Sequence, residues 1–464
     1  MLQLSSAQAV GAVPSGRLSN GQLVAYSAPA IPIGLSLAGF MLFMPAYYAK
    51  YTSATLVEIG AALLVARLLE AALLPLIGIL SDRTRTRIGA RKPWMIAGAI
   101  LAPVATGLLY NPGPDAGWLH FFLASSLFLI SWSFVQIPTT ALGIELSHDY
   151  DERTRIFTVY AVASMLGAIA FAAIPLLPIS TEAGMSPAVV RTIGWVILLL
   201  FPITVLGAVL GTPNVHAVVK REPAAKADAP SILRNKPFLM LLSAWITGGT
   251  ATGMIAACWF FFMDTQLKLG DFFPHTVLAL YIGSCVSAPL WQRIIRRIGK
   301  HKAWALGWCG SAAVTLLLLV IPAGAPIPVV GIFFLVGMGT CIENVAPNSV
   351  LGDVVDYDTL RFGVDRAGNY TAITAVVMLA NVALGGAIAM FILSLFGFDA
   401  KGSANDATGS LGLVIAMFAV PTTLYTMAAL LLWRFPIDAR RQAIIRKRID
   451  DRRPHAERCG LSVP

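Results

Sequence analysis

The chain has 464 residues, of which 57% are hydrophobic and 12% are charged, and its formal net charge is +10. Because a soluble domain carries about 25% charged residues, this composition excludes a soluble protein and makes lipid the solvent for most side chains. The sequence holds no P-loop and no nucleophile triad, and its five cysteines lie at no metal-ligand spacing. We therefore predict neither an enzyme nor a pump, no metal site and no cofactor.

Apolar runs of about 20 residues predict membrane-spanning helices, because that length crosses the hydrocarbon core. Barrel strands are excluded, since the hydrophobicity is continuous and does not alternate. The predicted fold is an all-α polytopic membrane protein. The limits of its twelve predicted spans are 23–49, 56–80, 94–111, 118–143, 156–178, 191–212, 237–262, 273–294, 302–323, 327–350, 370–396 and 409–433.

Two basic hairpins indicate an internal repeat. Pro75–Trp94 reads PLIGILSDRTRTRIGARKPW, and Pro289–Trp304 reads PLWQRIIRRIGKHKAW, with Arg-Ile-Gly in both. The repeat predicts two pseudo-symmetric six-helix bundles, which is how many secondary transporters hold a substrate between two halves near the bilayer midplane. The predicted segments are a tail at 1–22, a bundle at 23–212, a linker at 213–236, a second bundle at 237–434 and a basic tail at 435–464.

The basic residues predict the topology. If both termini are cytoplasmic, 29 of the 34 Lys and Arg residues lie in inside segments. The positive-inside rule thus accounts for the net charge without nucleic acid and predicts a plasma-membrane protein. The basic tail either binds the inner leaflet as a helix or is solvated.

Acidic loops follow the fourth and tenth predicted spans, where Asp149-Tyr150-Asp151-Glu152-Arg153 is echoed by Asp356-Tyr357-Asp358 with Arg361. Ion pairs between these loops and the basic hairpins are expected to close the cytoplasmic side, and a network is needed because one exposed pair contributes about 0 to 1 kcal/mol. Alternatively, the charges only end the helices in water. The predicted gate residues are Asp82, Arg83, Arg87, Glu145, Asp149, Arg153, Asp353 and Asp356.

The loop motifs resemble a known family. GILSDR, followed by basic residues to Lys92, resembles the loop 2-3 signature of the major facilitator superfamily. More narrowly, ARLLEAALLPLIG, SDRTRTR, TTALGIEL, DYDERTR and LGDVVDYD, in this order, resemble the glycoside-pentoside-hexuronide:cation symporters. The resemblance implies a major facilitator fold and a monomer that transports a small molecule, a sugar or glycoside.

The resemblance also implies a cation site on helix 2 that is incomplete here. Arg67, Glu70 and Pro75 match the family pattern, but Leu73 and Leu74 stand where a polar residue and a second Asp belong. A sodium ion needs several oxygen ligands, and two usual donors are lost.

Elsewhere the match to the family's binding residues is partial. Ser133 supplies the expected cation-liganding hydroxyl, and Gln136 takes the place of a sugar-binding Asp. Leu379 replaces a typical Lys, and Tyr160 replaces an Arg. Coupling to protons, or no coupling, is therefore expected instead of coupling to sodium.

Arg67 and Glu70 lie one helical turn apart in the middle of a predicted span, so their side chains can meet. Each alone would cost at least about 2.5 to 3.5 kcal/mol at the bilayer centre, which predicts pairing toward a cavity. Three roles stay open. Glu70 carries a proton, the pair orients a polar substrate, or the pair is locked permanently and never titrates.

Glu343 is the other carboxylate well inside a span, beside Asn344. It belongs either to the cavity or to the cytoplasmic gate. Further predicted cavity residues are Tyr26, Trp132, Thr374 and Asn381. Trp259 and Phe260–Phe262 are expected to form an aromatic belt at the outer surface.

These features predict a secondary transporter that moves a sugar, a glycoside or a similar polar solute by alternating access, with protons and membrane lipids as its other partners. Two alternatives remain. A cavity in which Leu replaces charged residues could admit a lysolipid or another amphiphile. The chain could also be a membrane sensor or assembly factor that transports nothing.

Overall fold

A computed structural model describes residues 17–147, 149–177, 185–214, 232, 234–362, 366–402 and 405–458, with backbone only at 150, 449, 450 and 452–458. Within these ranges the regular structure is entirely helical. Twelve helices are long and apolar enough to cross a membrane, which confirms the predicted fold class. Residues 1–16 of the predicted tail, most of the predicted linker (215–231 and 233) and 459–464 lie outside the described residues.

We number these spans helix 1 to helix 12 in chain order. Their bounds are Asn20–Leu42, Leu56–Arg83, Lys92–Tyr110, Trp118–Glu145, Asp151–Leu176, Pro187–Gly211, Lys236–Gln266, Gly270–Ile298, Lys300–Val320, Pro326–Phe362, Ala367–Leu395 and Ala407–Trp433. Two further helices are Met44–Tyr51, which follows helix 1, and Ala439–Arg458, called here the terminal helix.

Helix 10 differs most from its predicted span. It was expected at 327–350 but continues to Phe362, so that Asp353 and Asp356 lie on the helix and not in a loop. Hydropathy detects only the apolar part of a helix, and the last turns here are polar. These turns dock the terminal helix, because Gln442 Nε2 donates to Asp356 Oδ2 at 2.6 Å and Arg446 pairs with the same carboxylate at 3.5 Å.

The two hairpins of the sequence repeat share a backbone feature. Gly89 and Gly299, the glycines of the two Arg-Ile-Gly runs, have φ angles of 101° and 89°. Few residues other than glycine adopt this left-handed region, so both positions need glycine to turn the chain. We call the end of the molecule that holds these hairpins the basic end, and the other end the opposite end.

The helices pack in the same pattern twice. Helix 1 packs on helix 5, helix 2 on helix 4, and helix 3 on helix 6; correspondingly, helix 7 packs on helix 11, helix 8 on helix 10, and helix 9 on helix 12. The two six-helix halves then meet along two seams, helix 2 with helix 11 and helix 5 with helix 8. The seams are equivalent, because helices 2 and 5 of the first half correspond to helices 8 and 11 of the second. Such equivalence is expected for halves related by a pseudo-twofold axis.

Glycines bring the matched helix pairs into backbone contact. A Cβ atom at Gly34 would lie 1.9 Å from the carbonyl oxygen of Ser164, between helices 1 and 5. In the second half, a Cβ at Gly385 would lie 2.1 Å from the carbonyl oxygen of Thr250, between helices 11 and 7. Small residues at such contacts are the usual device for close helix packing in lipid.

The opposite end is closed by aromatic rings from both halves. Phe43, from the first half, packs against Phe260 and Phe273 of the second at centroid distances of 4.8 and 5.8 Å. Trp259 stacks on Phe333 at 4.2 Å. Phe260–Phe262 and Trp259 are at most 4% exposed, so the predicted aromatic belt is wrong. Hydropathy places aromatic residues near an interface but does not distinguish a lipid-facing ring from one buried between the halves.

Candidate functional site

Arg67 and Glu70 form an ion pair inside the first half. Arg67 Nη1 donates to Glu70 Oε2 at 2.7 Å, and each residue is 1% exposed. The other carboxylate oxygen, Oε1, accepts a hydrogen bond from Ser133 Oγ at 3.0 Å. Helix 2 and helix 4 thus meet at Glu70, both of whose oxygens are bound.

Apolar groups surround the Arg67 guanidinium. Its Nη2 lies 3.6 Å from Met41 Sδ, and its carbon lies 5.2 Å from the centre of the Phe40 ring. Its Nε has no hydrogen-bond partner among the described residues. The guanidinium is therefore held by Glu70 and by apolar contacts, and the N–H group of its Nε stays without a described partner.

The other predicted cavity residues of the first half cluster less tightly. Tyr26 donates to the carbonyl oxygen of Thr139 at 3.1 Å, and its ring lies 5.9 Å from that of Tyr160. Within the described ranges, Trp132 Nε1 and the Tyr160 hydroxyl are buried without a hydrogen-bond partner. Gln136 is half-buried, one turn beyond Trp132.

Glu343 heads a separate cluster in the second half. Thr252 Oγ1 on helix 7 lies 3.4 Å from Glu343 Oε2 and 3.0 Å from the Tyr425 hydroxyl on helix 12. The Tyr425 ring stacks near Trp308, with centroids 6.2 Å apart. Glu343 Oε1 is buried and has no partner in the part of the chain that the structure describes.

Asn344, Thr374 and Asn381 hold different positions. Asn344 is exposed and donates to a carbonyl of its own helix. Thr374 is buried and likewise bonds back to its own helix. Asn381 links helix 11 to helix 7, because its Nδ2 donates to the carbonyl oxygen of Trp245 at 3.0 Å, while its buried Oδ1 is without a described partner.

At the basic end of the first half, Arg91 organises the hairpin. It donates to Glu145 at 2.7 Å and to Ser81 at 2.9 Å, and it pairs with Asp82. Burial opposes the charge of this guanidinium, but the hydrogen bonds and charges of Glu145 and Asp82 outweigh burial and raise the pKa of Arg91. Arg83 and Arg87 are exposed.

The remaining predicted gate residues also bind within their own half. Asp149 caps helix 5 by accepting from the Glu152 backbone N–H at 2.8 Å, and Arg153 donates to the carbonyl oxygen of Ser147 at 3.1 Å. Asp353 pairs with Lys300 at 2.8 Å, within the second half. In this conformation, therefore, these interactions form within each half and do not join one half to the other.

Sequence reasoning missed several partners. Asp358, from the second acidic motif and located on helix 10, pairs with Arg366 at 2.8 Å, although Arg361 is nearer to it in the sequence. Thr252 and Tyr425 were not singled out. A hydroxyl group inside an apolar span can indicate a polar site, but single hydroxyl groups are too common in such spans to identify Thr252 or Tyr425.

An ion pair across the two halves lies at the opposite end, where none was expected. Lys50 Nζ donates to Asp264 Oδ2 at 2.5 Å. Asp264 sits in the π-helical turn Phe262–Gln266 that ends helix 7. Such turns often occur at functional positions.

Comparison with known proteins agrees with this architecture. The chain matches the family described as MFS/sugar transport protein over residues 25–439. It is 26% identical to the putative glycoside/cation symporter YagG of Escherichia coli (strain K12), over 92% of this chain and 95% of that protein. It is 23% identical to the glucuronide carrier protein homolog of the same organism, over 94% and 97%.

The fold is also that of a solved transporter. The structure of the nucleoside transporter NupG superposes with a TM-score of 0.63 at 12% identity and covers 90% of this chain and 100% of that one. The chain is thus a multi-pass plasma-membrane secondary transporter, not an enzyme, and it belongs to the glycoside-pentoside-hexuronide:cation symporter family of the major facilitator superfamily.

Proposed function

We propose that the chain transports a sugar, a glycoside or a similar polar solute, as a monomer, and that its transport is coupled to protons or to no ion rather than to sodium. The assignment of the coupling ion rests on Glu70, whose two carboxylate oxygens already accept hydrogen bonds, from Arg67 at 2.7 Å and from Ser133 at 3.0 Å. A sodium ion would need those oxygens and several more. The adjacent Leu73 and Leu74 offer none.

The substrate class is supported by the buried polar atoms that have no described partner. The first half offers donors such as Trp132 Nε1, and the second offers acceptors at Glu343 Oε1 and Asn381 Oδ1. Buried polar groups are normally satisfied, so unsatisfied ones call for a ligand or water. A solute bearing hydroxyl groups both donates and accepts, and it suits a mixed set of this kind.

The conformation fits alternating access. The halves touch at the opposite end through Phe43, Phe260 and the Lys50–Asp264 pair, whereas the ion pairs described above at the basic end lie within halves. If the basic end is cytoplasmic, as the positive-inside rule requires, this is an inward-facing state. In the outward-facing state we expect the acidic loops to meet the basic hairpins.

A thermal-stability panel tests the substrate class. The purified protein is heated with methyl glucosides, methyl glucuronides, nucleosides and lysophosphatidylcholine, each with and without sodium and at several pH values. A ligand at about 100 times its dissociation constant stabilises by about 2.7 kcal/mol, which raises the unfolding temperature measurably. A shift with glycosides that does not depend on sodium supports the proposal, whereas a shift that requires sodium contradicts its coupling part.

An amphiphile is the second candidate substrate, and one observation favours it. An apolar groove lies between helices 2 and 4 toward the opposite end, lined by Ala61, Ala62, Val65, Trp118 and Phe122, with Glu58 at its rim. Stabilisation by lysophosphatidylcholine alone would replace the sugar assignment and leave the transporter fold untouched. If no solute crosses liposomes under any gradient, the chain is a sensor or assembly factor instead.

A further inference from the structure

Among the described residues, each half holds one carboxylate in the apolar part of a membrane span, away from the helix ends, and the two carboxylates differ in their partners. Glu70 has an arginine at 2.7 Å and a hydroxyl at 3.0 Å, one on each oxygen. The described neighbours of Glu343 are neutral: Thr252 lies 3.4 Å from its Oε2 and the Trp308 side chain stands beside it, while its Oε1 is buried with no described partner within hydrogen-bond distance. Among the described residues no Lys, Arg or His forms an ion pair with Glu343.

This difference decides which carboxylate can take up a proton. A buried carboxylate paired to a guanidinium is stable as an anion, and its protonation would leave the guanidinium uncompensated, at a cost of about 3 to 5 kcal/mol. A carboxylate that is buried without a cation is unfavourable as an anion, and a proton removes that charge. Neutral Glu343 could also donate a hydrogen bond through its new O–H group.

The helices around Glu343 bring no described cation into an ion pair with it. Helix 7 presents Thr252, helix 12 presents the Tyr425 hydroxyl, and helix 11 presents Asn381. On helix 8, Cys285 lies near Cys341, and the arginines Arg293, Arg296 and Arg297 are exposed near the basic end of the helix and form no described ion pair with Glu343. On helix 9 Trp308 stands beside Glu343.

The cations near helix 10 lie further toward the basic end. Lys300, on helix 9, pairs with Asp353, and Arg446, on the terminal helix, pairs with Asp356. Asp353 is ten residues beyond Glu343, a rise of about 15 Å along a helix. These charges are already matched and lie too far away to neutralise Glu343.

A row of exposed positions on helix 10 runs from Asn344, the neighbour of Glu343, toward the basic end. Asn344, Asn348 and Gly352 recur every four residues on one face and are all exposed, and Asp356 continues the row. Residues four apart lie above one another on a helix. Because hydrocarbon would leave their amides unsatisfied, exposed asparagines inside a membrane span are expected to line a water-filled cavity.

We propose that Glu343, and not Glu70, is the residue that binds the transported proton, with Thr252 and Tyr425 as its positioning residues. A hydronium ion in the cavity at the basic end transfers its proton to Glu343 Oε1, forming one O–H bond and leaving water. The reverse transfer, to water on the other side, completes the cycle after the halves exchange access. The proposal rests on the proposed function only for the fate of the proton, since the protonated carboxyl itself exists with or without a solute.

Infrared difference spectroscopy on the purified protein tests this without any solute. The difference spectrum between neutral and alkaline buffer, in which ordinary exposed carboxylates stay ionised, is expected to contain the carbonyl band of a protonated carboxylic acid, shifted in deuterated buffer. The Glu343→Gln variant should lose this band, whereas the matched Glu70→Gln variant should retain it. Loss of the band in Glu70→Gln with retention in Glu343→Gln overturns the proposal, and so does its absence from the unmodified protein.

A second variant keeps the proposal testable if Glu343→Gln fails to fold. Thr252→Val keeps Glu343 but removes the hydroxyl near its Oε2, so the carboxyl band should move while persisting. An unchanged band position would mean that the signal comes from another carboxyl and would count against Glu343. Failure of the thermal panel to find any solute would affect the proposed function alone, because neither infrared result depends on a solute.

Discussion

Lys50 and Asp264 are 214 positions apart in the chain, yet they form an ion pair of 2.5 Å that joins the two halves of the transporter. Lys50 also lies 5.5 Å from the centre of the Phe260 ring, so the pair rests on the aromatic rings that close the opposite end. Both side chains are 22% exposed. The pair therefore works together with an apolar contact surface and does not close this end by itself.

Removing this pair should favour opening at the opposite end. A partly exposed pair contributes about 0.2 to 1 kcal/mol, so Asp264→Asn should shift the balance of states by up to about fivefold. Spin labels at the exposed positions Pro114 and Lys401, one in each half, should report the opening as a longer distance measured by double electron–electron resonance. The double exchange Lys50→Asp with Asp264→Lys should restore the original distances, and failure to do so would assign closure to the rings alone.

Loss of Arg67 should destabilise the protein strongly. Arg67→Ala leaves the Glu70 carboxylate buried without its cation, which costs about 3 to 5 kcal/mol. Ser133→Ala removes one hydrogen bond to the same carboxylate and should cost about 1 to 3 kcal/mol. Thermal unfolding in detergent measures both losses. The double variant Arg67→Met with Glu70→Leu should recover much of the loss; a double variant as unstable as Arg67→Ala would show that the pair is not what stabilises this region.

A methyl group at the contact between helices 7 and 11 should not fit. Gly385→Ala places a Cβ 2.1 Å from a backbone oxygen of Thr250, and overpacking of this kind costs about 1 to 3 kcal/mol. The matched control is Gly207→Ala on helix 6, where a Cβ meets nothing within 4 Å. The control substitution should leave stability unchanged or raise it slightly, since alanine has a higher helix propensity than glycine. Equal unfolding temperatures for the two variants would refute the close contact.

The hairpin between helices 2 and 3 should require arginine at position 91. Arg91 binds Ser81, Asp82 and Glu145 together, and a lysine ammonium lacks the planar fork that allows this. Arg91→Lys should therefore lose about 1 to 3 kcal/mol and expose the hairpin to trypsin. Arg87→Lys, at an exposed position of the same hairpin, should change neither property. Equal cleavage rates in the two variants would argue against this role.

Much of the fold follows from the sequence alone, because lipid requires continuous apolar helices and these are visible as runs of about 20 residues. The matched Arg-Ile-Gly runs likewise predicted paired turns, and both glycines have positive φ angles. The pairing of Arg67 with Glu70 was accessible because both residues lie on one helix, one turn apart.

Contacts between distant elements were not accessible in the same way. Thr252, Glu343 and Tyr425 come from three helices, and nothing in their spacing links them until helices 7, 10 and 12 pack together. The polar end of helix 10 was missed because hydropathy ends a span where charges begin, although the backbone continues to Phe362. The roles of the predicted site and gate residues stay predictions.

The two ends of the transporter differ in how they respond to ionic strength. At the opposite end the contact surface is mainly aromatic, with Phe43 set against Phe260 and Phe273, and salt does not screen buried rings. At the basic end the surface carries exposed arginines such as Arg83 and Arg87, whose interactions fade beyond about 8 Å at physiological salt. Salt screens the partly exposed Lys50–Asp264 pair as well, but it leaves the aromatic contacts intact. Raising the salt concentration should thus penalise closure of the basic end more than closure of the opposite end, which makes the ionic strength of the surrounding solution a control on the resting conformation.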